Sequence, residues 1–163
     1  WLIQVVGRGW HSHAEMAWWS GDVDGRGTLM TAGMVHGGGR SVPLAGQVHW
    51  YPGCIEWWSI RDRDRYDRAG AVREMLRLTG MGYGWWSVAR AMLLHLPVIR
   101  AFVRPEREDV GVVAHPPYCS EAVAWACRVG GGVDPVPTLP DRLTEPADLA
   151  RSRLYRCQGA LVP

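Results

Sequence analysis

The sequence contains no Lys and no Asn, and it has only one Phe and four Ile among its 163 residues. The codons for these residues are AT-rich, so their scarcity beside 18 Arg, 20 Gly and 10 Trp indicates a GC-rich genome. The arginines are interspersed with 16 acidic residues, and the net charge is +2. Because phosphate binding needs a concentrated positive surface, the sequence predicts no nucleic-acid partner.

Long hydrophobic runs are also missing. The longest apolar stretch, residues 88–103, is interrupted by two arginines, a histidine and a proline, whereas a membrane-spanning helix needs about 20 apolar residues. We therefore expect no transmembrane segment. Residues 1–6 resemble the middle of a strand rather than a signal peptide, so we expect one domain over residues 1–163 that lacks a strand upstream of Trp1.

Cysteine is too scarce and too scattered to form a disulfide scaffold, since there are four cysteines and no Cys-x-x-Cys pair. The sequence therefore does not predict a zinc ribbon. Cys119 and Cys127 lie eight residues apart on one predicted helix, about 12 Å along its axis, which is too far for a disulfide. Cys54, Cys127 and Cys157 are interpreted as structural, because none has a setting that would activate a thiol.

The pattern of apolar and turn residues predicts an α+β fold, a small antiparallel sheet packed against helices. Strands are predicted over residues 1–6, 13–19, 28–35 and 54–60, which are separated by turn residues that include the glycines at 37–39. Apolar residues then recur at helical spacing over residues 69–76. Further helices are predicted over residues 85–104, from just after Pro117 to Gly130 and, capped by Thr144, over residues 143–149.

Cys119 is the candidate nucleophile. It follows Pro116 and Pro117 and stands in the first turn of a predicted helix, where the helix dipole and unpaired backbone N–H groups lower the pKa of a thiol. The same N–H groups can hold a developing oxyanion. The alternative is a small buried hydrophobic residue, which is the common role of a free cysteine.

His13 is the candidate general base, because it lies on a predicted strand and can accept the thiol proton and return it to a leaving group. His11 and His13 also form a His-x-His pair on one face of that strand, which would suit a metal ion. A third ligand such as His36 or Glu15 would be required. Because no third ligand is evident, the sequence predicts no metal site and no cofactor.

The order of these motifs resembles the permuted NlpC-type papain-like cysteine hydrolases, the YiiX-like group. In that family a Ser-His or Thr-His pair begins a core strand, and Cys-Ser-Glu begins the nucleophile helix near the C-terminus. The matching segments here are Ser12-His13, Gly38-Gly39-Arg40-Ser41-Val42-Pro43-Leu44, Thr79-Gly80-Met81-Gly82-Tyr83-Gly84, Cys119-Ser120-Glu121 and Leu143-Thr144-Glu145-Pro146-Ala147-Asp148-Leu149. The resemblance covers nearly the whole chain, although the family's Gly-Asp strand would precede Trp1.

The resemblance implies a circularly permuted papain-like fold in which Cys119 and His13 are catalytic. The third catalytic residue orients the histidine ring, and here three candidates remain. Alignment with the family places Thr31 at that position, His36 is chemically better suited, and Glu15 points to the same strand face as His13. Predicted substrate contacts come from the residues that flank the catalytic pair, Ser12, Ser120 and Tyr118.

The resemblance also implies a thiol amidase or peptidase, with a cell-wall peptide as the default substrate and a bacterial envelope or phage particle as its place of action. One alternative is a non-catalytic docking domain of the same fold in a larger assembly. Another is an acyl transferase or lipid-directed thiol hydrolase, because the paired tryptophans could line an apolar cleft.

Overall fold

The computed structural model describes residues 9–21, 27–94 and 115–161. The strand predicted over residues 1–6 and the part of the second predicted helix after residue 94 lie outside these ranges. In chain order the elements are strands β1 (Met16–Ser20), β2 (Thr28–Val35) and β3 (Gly38–Pro43), helix α1 (Leu44–Trp50), strand β4 (Ile55–Ile60), helices α2 (Arg68–Arg77), α3 (Trp85–Leu94), α4 (Cys119–Trp125) and α5 (Pro146–Arg151), and strand β5 (Tyr155–Leu161).

The predicted α+β class is confirmed, but the described strands form two antiparallel sheets where one was predicted. The first sheet has the order β1-β2-β3, with Met16 opposite Ala32 and Met30 opposite Pro43. The second sheet pairs β4 with β5 and has an irregularity at Trp57 and Trp58. Strand β5 escaped prediction because it is largely exposed and has no alternating apolar pattern.

The glycine segment at 37–39 is a turn only in part, because β3 begins at Gly38. A side chain on Gly39 would place its Cβ 2.0 Å from the carbonyl oxygen of Leu78, and Gly39 N–H donates to the carbonyl oxygen of Met81 at 2.8 Å. Gly38 has a positive φ of 109°, which glycine adopts without strain. These glycines therefore let the loop that follows α2 pack directly on the backbone of β3.

Helix α4 is the centre of the core, since every residue from Cys119 to Trp125 is buried. It contacts β2 and continues as a π-helical turn, Ala126–Gly130, that packs against α2. The close approach depends on Gly70 and Gly130, because a Cβ on Gly70 would lie 2.1 Å from the carbonyl oxygen of Gly130. The predicted end of this helix at Gly130 agrees with the structure.

Helix α5 begins later than its predicted Thr cap. Its N-cap is Glu145, with Pro146 in the first turn, where the missing N–H of proline has no helical partner to lose. Thr144 instead donates its hydroxyl to the carbonyl oxygen of Pro140 at 3.2 Å. Helix α2 is capped by Asp67, whose carboxylate accepts from Gly70 N–H at 2.9 Å. Among the helices of the described ranges, none is long and apolar enough to cross a membrane.

Candidate active site

Cys119 is held at the first turn of α4 by contacts on both of its sides. The preceding residue, Tyr118, donates its backbone N–H to Oε2 of Glu121 at 3.1 Å. The Tyr118 hydroxyl lies 3.0 Å and 3.1 Å from the carbonyl oxygens of Arg142 and Thr144, which anchors the start of the helix to the segment before α5. Cys119 itself is 1% exposed and is buried with Tyr118 and Leu143.

His13 lies on the extended segment that leads into β1, which begins three residues after the start of the predicted strand. Its side chain interacts electrostatically with Cys119 and is 37% exposed. Nε2 of His13 is 3.0 Å from Oε1 of Glu15. Since Nε2 is occupied by this carboxylate, Nδ1 is the ring nitrogen that remains for the thiol.

The electrostatics of this pair favour charge separation. Burial has the largest effect on the His13 ring and disfavours its charge, but hydrogen bonds with Cys119 and Glu15 and their negative charges outweigh it and raise the pKa of His13 to about 9. Burial likewise disfavours the Cys119 thiolate, but the His13 hydrogen bond and charge and the backbone N–H groups of Ala14 and Ser120 lower the thiol pKa. Both shifts favour the thiolate–imidazolium form of the pair over the neutral form.

Glu15 is the residue that orients the histidine ring. Burial works against its charge, but the His13 bond, followed by the bond from Gln47, outweighs burial and lowers the pKa of the Glu15 carboxyl. The carboxylate therefore stays ionised and fixes the ring so that Nε2 carries a proton. Of the three candidates, Glu15 is the one whose side chain bonds the His13 ring.

The other two candidates lie elsewhere. His36 is exposed and its ring packs edge-on against Trp85, with centroids 5.0 Å apart, so the prediction that it orients His13 is wrong. It lies in the turn after β2, beyond the point where the strand passes Glu15. Thr31 is 4% exposed and its hydroxyl donates to Oε1 of Gln47 at 2.9 Å, so it does not bond the His13 ring.

The Glu15 side chain fits against the neighbouring strand β2 because residue 33 is a glycine. A Cβ on Gly33 would lie 2.4 Å from Cγ and 2.9 Å from Cδ of Glu15, which is too close for either atom to remain in place. The absence of a side chain at Gly33 therefore lets the carboxylate lie over β2 and reach His13. This close approach is a feature of strand register, which sequence spacing alone does not reveal.

Two site residues were missed by sequence reasoning. Gln47 donates from Nε2 to both oxygens of Glu15, at 3.0 Å and 2.8 Å, but it lies on α1, a helix that the sequence did not predict. Tyr83 interacts electrostatically with Cys119, and burial followed by the negative charge of Cys119 raises the pKa of the phenol, which therefore stays protonated. The signal for Tyr83 was its place in the Gly-x-x-Tyr segment.

The predicted substrate contacts are only partly accessible. Ser12 is half-buried and lines the cleft beside His13. Ser120 is completely buried, and Tyr118 is 5% exposed with its hydroxyl directed at backbone carbonyls. The structure does not support substrate contacts by these two side chains, because both are buried and the Tyr118 hydroxyl bonds backbone carbonyls.

The His-x-His pair is divided between two carboxylates. His11 Nε2 is 2.9 Å from Oε2 of Glu56 on β4, whereas His13 bonds Glu15. Across residues 9–21, 27–94 and 115–161, no group of three or more metal-ligating side chains has the geometry to hold a metal ion. The two histidines therefore bond different carboxylates.

An aromatic-lined cleft opens beside His13. His13, Glu15, Gln47 and Tyr83 line it, and its walls carry many tryptophans. The tryptophans of the cleft are Trp10, Trp18, Trp19, Trp50, Trp57 and Trp58. Trp10 is 89% and Trp50 81% exposed, so large apolar rings face solvent within reach of the cleft.

A comparison of the chain with family models, curated proteins and solved structures found no match.

Proposed function

We propose that this protein is a cysteine-dependent hydrolase of amide bonds, with Cys119 as nucleophile, His13 as general base and acid, and Glu15 as the residue that orients His13. The observation that carries the proposal is the electrostatic coupling of Cys119 to His13, together with the 3.0 Å contact between His13 and Glu15. These interactions join a thiol of lowered pKa, an imidazole of raised pKa and an ionised carboxylate. Structural cysteines in apolar surroundings have raised pKa values instead, as Cys127 does here.

The chemistry follows from these groups. The Cys119 thiolate attacks the carbonyl carbon of the substrate, and the carbonyl oxygen becomes an oxyanion held by N–H groups of the first turn of α4 and by the Tyr83 hydroxyl. The carbon–nitrogen bond breaks as the His13 imidazolium gives its proton to the leaving amine. His13, now neutral, takes a proton from water, the hydroxide releases the acyl group as a carboxylic acid, and the thiolate–imidazolium pair is restored.

The proposal includes a permuted papain-like architecture of the NlpC type. It is supported by the chain order, in which the segment that carries His13 precedes the sheet and the helix that carries Cys119 follows near the C-terminus. This chain departs from the family pattern at the third catalytic position. The carboxylate comes from Glu15, on the same segment as His13, while Thr31 stands where the family carries an acidic residue.

The resemblance makes a cell-wall peptide the first substrate to test. A second candidate function, acyl transfer or hydrolysis on a lipid, is favoured by the exposed tryptophans of the cleft. Their rings provide apolar area with a polar N–H, a combination common where proteins meet lipid headgroups. A non-catalytic docking domain would have no use for an activated thiol, and the experiment below separates it from both enzymes.

The test is trapping of the acyl-enzyme. Purified protein is mixed with p-nitrophenyl esters of short and long acyl chains and with a synthetic cell-wall peptide, quenched in acid and analysed by peptide mass spectrometry. We expect an acyl group on Cys119, none on Cys127 of the same helix, and loss of turnover in Cys119→Ser but not in Cys127→Ser. Turnover that survives Cys119→Ser, or no adduct and no turnover with any of these substrates, would contradict the proposal.

A further inference from the structure

Gln47 is the residue of α1 that reaches the catalytic carboxylate. It is half-buried, and its Nε2 lies 3.0 Å from Oε1 and 2.8 Å from Oε2 of Glu15. On its other side, Oε1 of Gln47 accepts the hydroxyl of Thr31 at 2.9 Å. A hydrogen-bonded chain therefore runs from β2 through α1 to the carboxylate, and from the carboxylate to the His13 ring.

The orientation of the Gln47 amide is set by its neighbours. A carboxylate only accepts hydrogen bonds, so the group that faces Glu15 must be the NH2 of the amide. The reverse orientation would place the amide oxygen against two carboxylate oxygens and the amide nitrogen against the Thr31 hydroxyl. Thr31 is nearly inaccessible and belongs to the central strand of its sheet, so it holds the amide oxygen from a rigid element.

The Glu15 carboxylate depends on Gln47 for its position. Oε1 contacts both His13 and Gln47, and Oε2 accepts a hydrogen bond from Gln47. A partly buried carboxylate that loses a donor tends to rotate toward solvent, since an unpaired buried charge costs more than an exposed one. Rotation of Glu15 would remove the acceptor from Nε2 of His13 and release the ring from Cys119.

We infer that Gln47 is a positioning residue, anchored by Thr31, which holds Glu15 in the orientation that directs His13 toward Cys119. The inference rests on the proposed function, because positioning matters only if the Cys119–His13 pair does chemistry. It also gives Thr31 a role different from direct contact with the histidine. A purely structural role for Gln47, tying α1 to the sheet, would alter stability without altering the ionisation of Cys119.

The experiment compares Gln47→Leu with Gln158→Leu and records the pH dependence of Cys119 alkylation by iodoacetamide. Gln158 is the matched control, because its amide donates to Ser59 on the second sheet. In Gln47→Leu we expect the alkylation rate at pH 6, relative to its high-pH plateau, to fall about tenfold, the scale of one charge-assisted hydrogen bond. Gln158→Leu should keep the wild-type profile.

Thr31→Val removes the anchoring hydroxyl at nearly constant volume, and it should shift the profile in the same direction by a smaller factor. It also carries the test if Gln47→Leu does not fold. A wild-type profile in both variants, whatever their thermal stability, would overturn the inference. Because alkylation needs no substrate, shifted profiles in a protein without turnover would support the positioning role and count against the hydrolase, whereas a free-thiol profile in the wild type would contradict both.

Discussion

Replacement of His13 by Ala is expected to change the ionisation of Cys119 more than any other single substitution in the site. The hydrogen bond and charge of His13 are the largest contributions that lower the thiol pKa, and they act against the burial of the sulfur. Without the imidazolium, the backbone N–H groups of Ala14 and Ser120 must oppose burial alone. The thiol pKa should therefore rise to at least that of a free cysteine.

The size of the effect follows from the ionised fraction. A thiol with a pKa of about 8.5 is about 0.3% ionised at pH 6 and half ionised at pH 8.5, so its alkylation rate rises about 150-fold between these values. A thiol with a pKa below about 7 shows a rise of less than about tenfold over the same interval. We expect the wild-type ratio to lie clearly below that of the free thiol, because the pKa of Cys119 is lowered, and the ratio of His13→Ala to reach or exceed that of the free thiol. The ratio is independent of how slowly the reagent reaches the sulfur.

The assay measures the alkylation of two cysteines in one tryptic peptide. Trypsin releases residues 108–128 with both Cys119 and Cys127, and fragment ions assign iodoacetamide adducts to each. Cys127 is the internal control, since it is also 1% exposed, lies 3.2 Å and 3.1 Å from the hydroxyls of Tyr66 and Tyr155, and has a pKa raised chiefly by burial. Its rate should stay low and be the same in both proteins.

Two results would refute the reasoning. One is a wild-type ratio near 150 for Cys119, which would mean that the sulfur is an ordinary thiol despite its contact with His13. The other is the same ratio in wild type and His13→Ala, which would mean that the ring does not stabilise the thiolate. A parallel change at Cys127 would indicate a general loosening of the core.

The remaining predictions concern the carboxylate and the glycines. Glu15→Gln should raise the Cys119 rate ratio severalfold. Glu56→Gln is the control, because Glu56 bonds the neighbouring His11, and it should leave the ratio unchanged. Equal effects of the two variants would contradict the role of Glu15. Gly33→Ala should reproduce the Glu15→Gln profile, because its Cβ would displace that side chain, and an unchanged profile would show that the carboxylate has room to adjust. By chemical denaturation, Gly39→Ala should cost about 1–3 kcal/mol through its clash with backbone. Gly46→Ala, in a helix with open space around it, should stabilise by about 0.5–1 kcal/mol, and the reverse order of these two variants would contradict the packing described.

Cys119 and His13 could be chosen as candidates from the sequence because the signals for each are local. A cysteine directly after two prolines marks a helix start, and a histidine in an aromatic-rich run marks a strand, so Cys119 and His13 stood out without any knowledge of packing. Their contact depends on the fold, but the choice of each depends on a few neighbouring residues. The same holds for β2, whose predicted bounds match the structure.

The contact of Glu15 with His13, and its support by Gln47, could not be predicted from the sequence, for a physical reason. The choice among Glu15, Thr31 and His36 depends on which side chains meet across β1, β2 and α1, and that is set by register and by the space above Gly33. The role of Gln47 was not predicted because α1, the helix that carries it, is short and includes Gly46, and its sequence therefore has a weak helical signal. Strand β5 was not predicted because an exposed edge strand needs no alternation of apolar and polar residues.

The most direct measurement of the central claim is an NMR titration of the His13 ring, assigned by comparison with His13→Ala. The thiolate–imidazolium pair requires the ring to stay protonated well above its ordinary pKa, and we predict a titration midpoint at about 9. In Cys119→Ser, which lacks the thiolate, the midpoint should fall toward the ordinary value. A midpoint near 6.5 in the wild type, unchanged by Cys119→Ser, would contradict the pair and the catalytic role built on it.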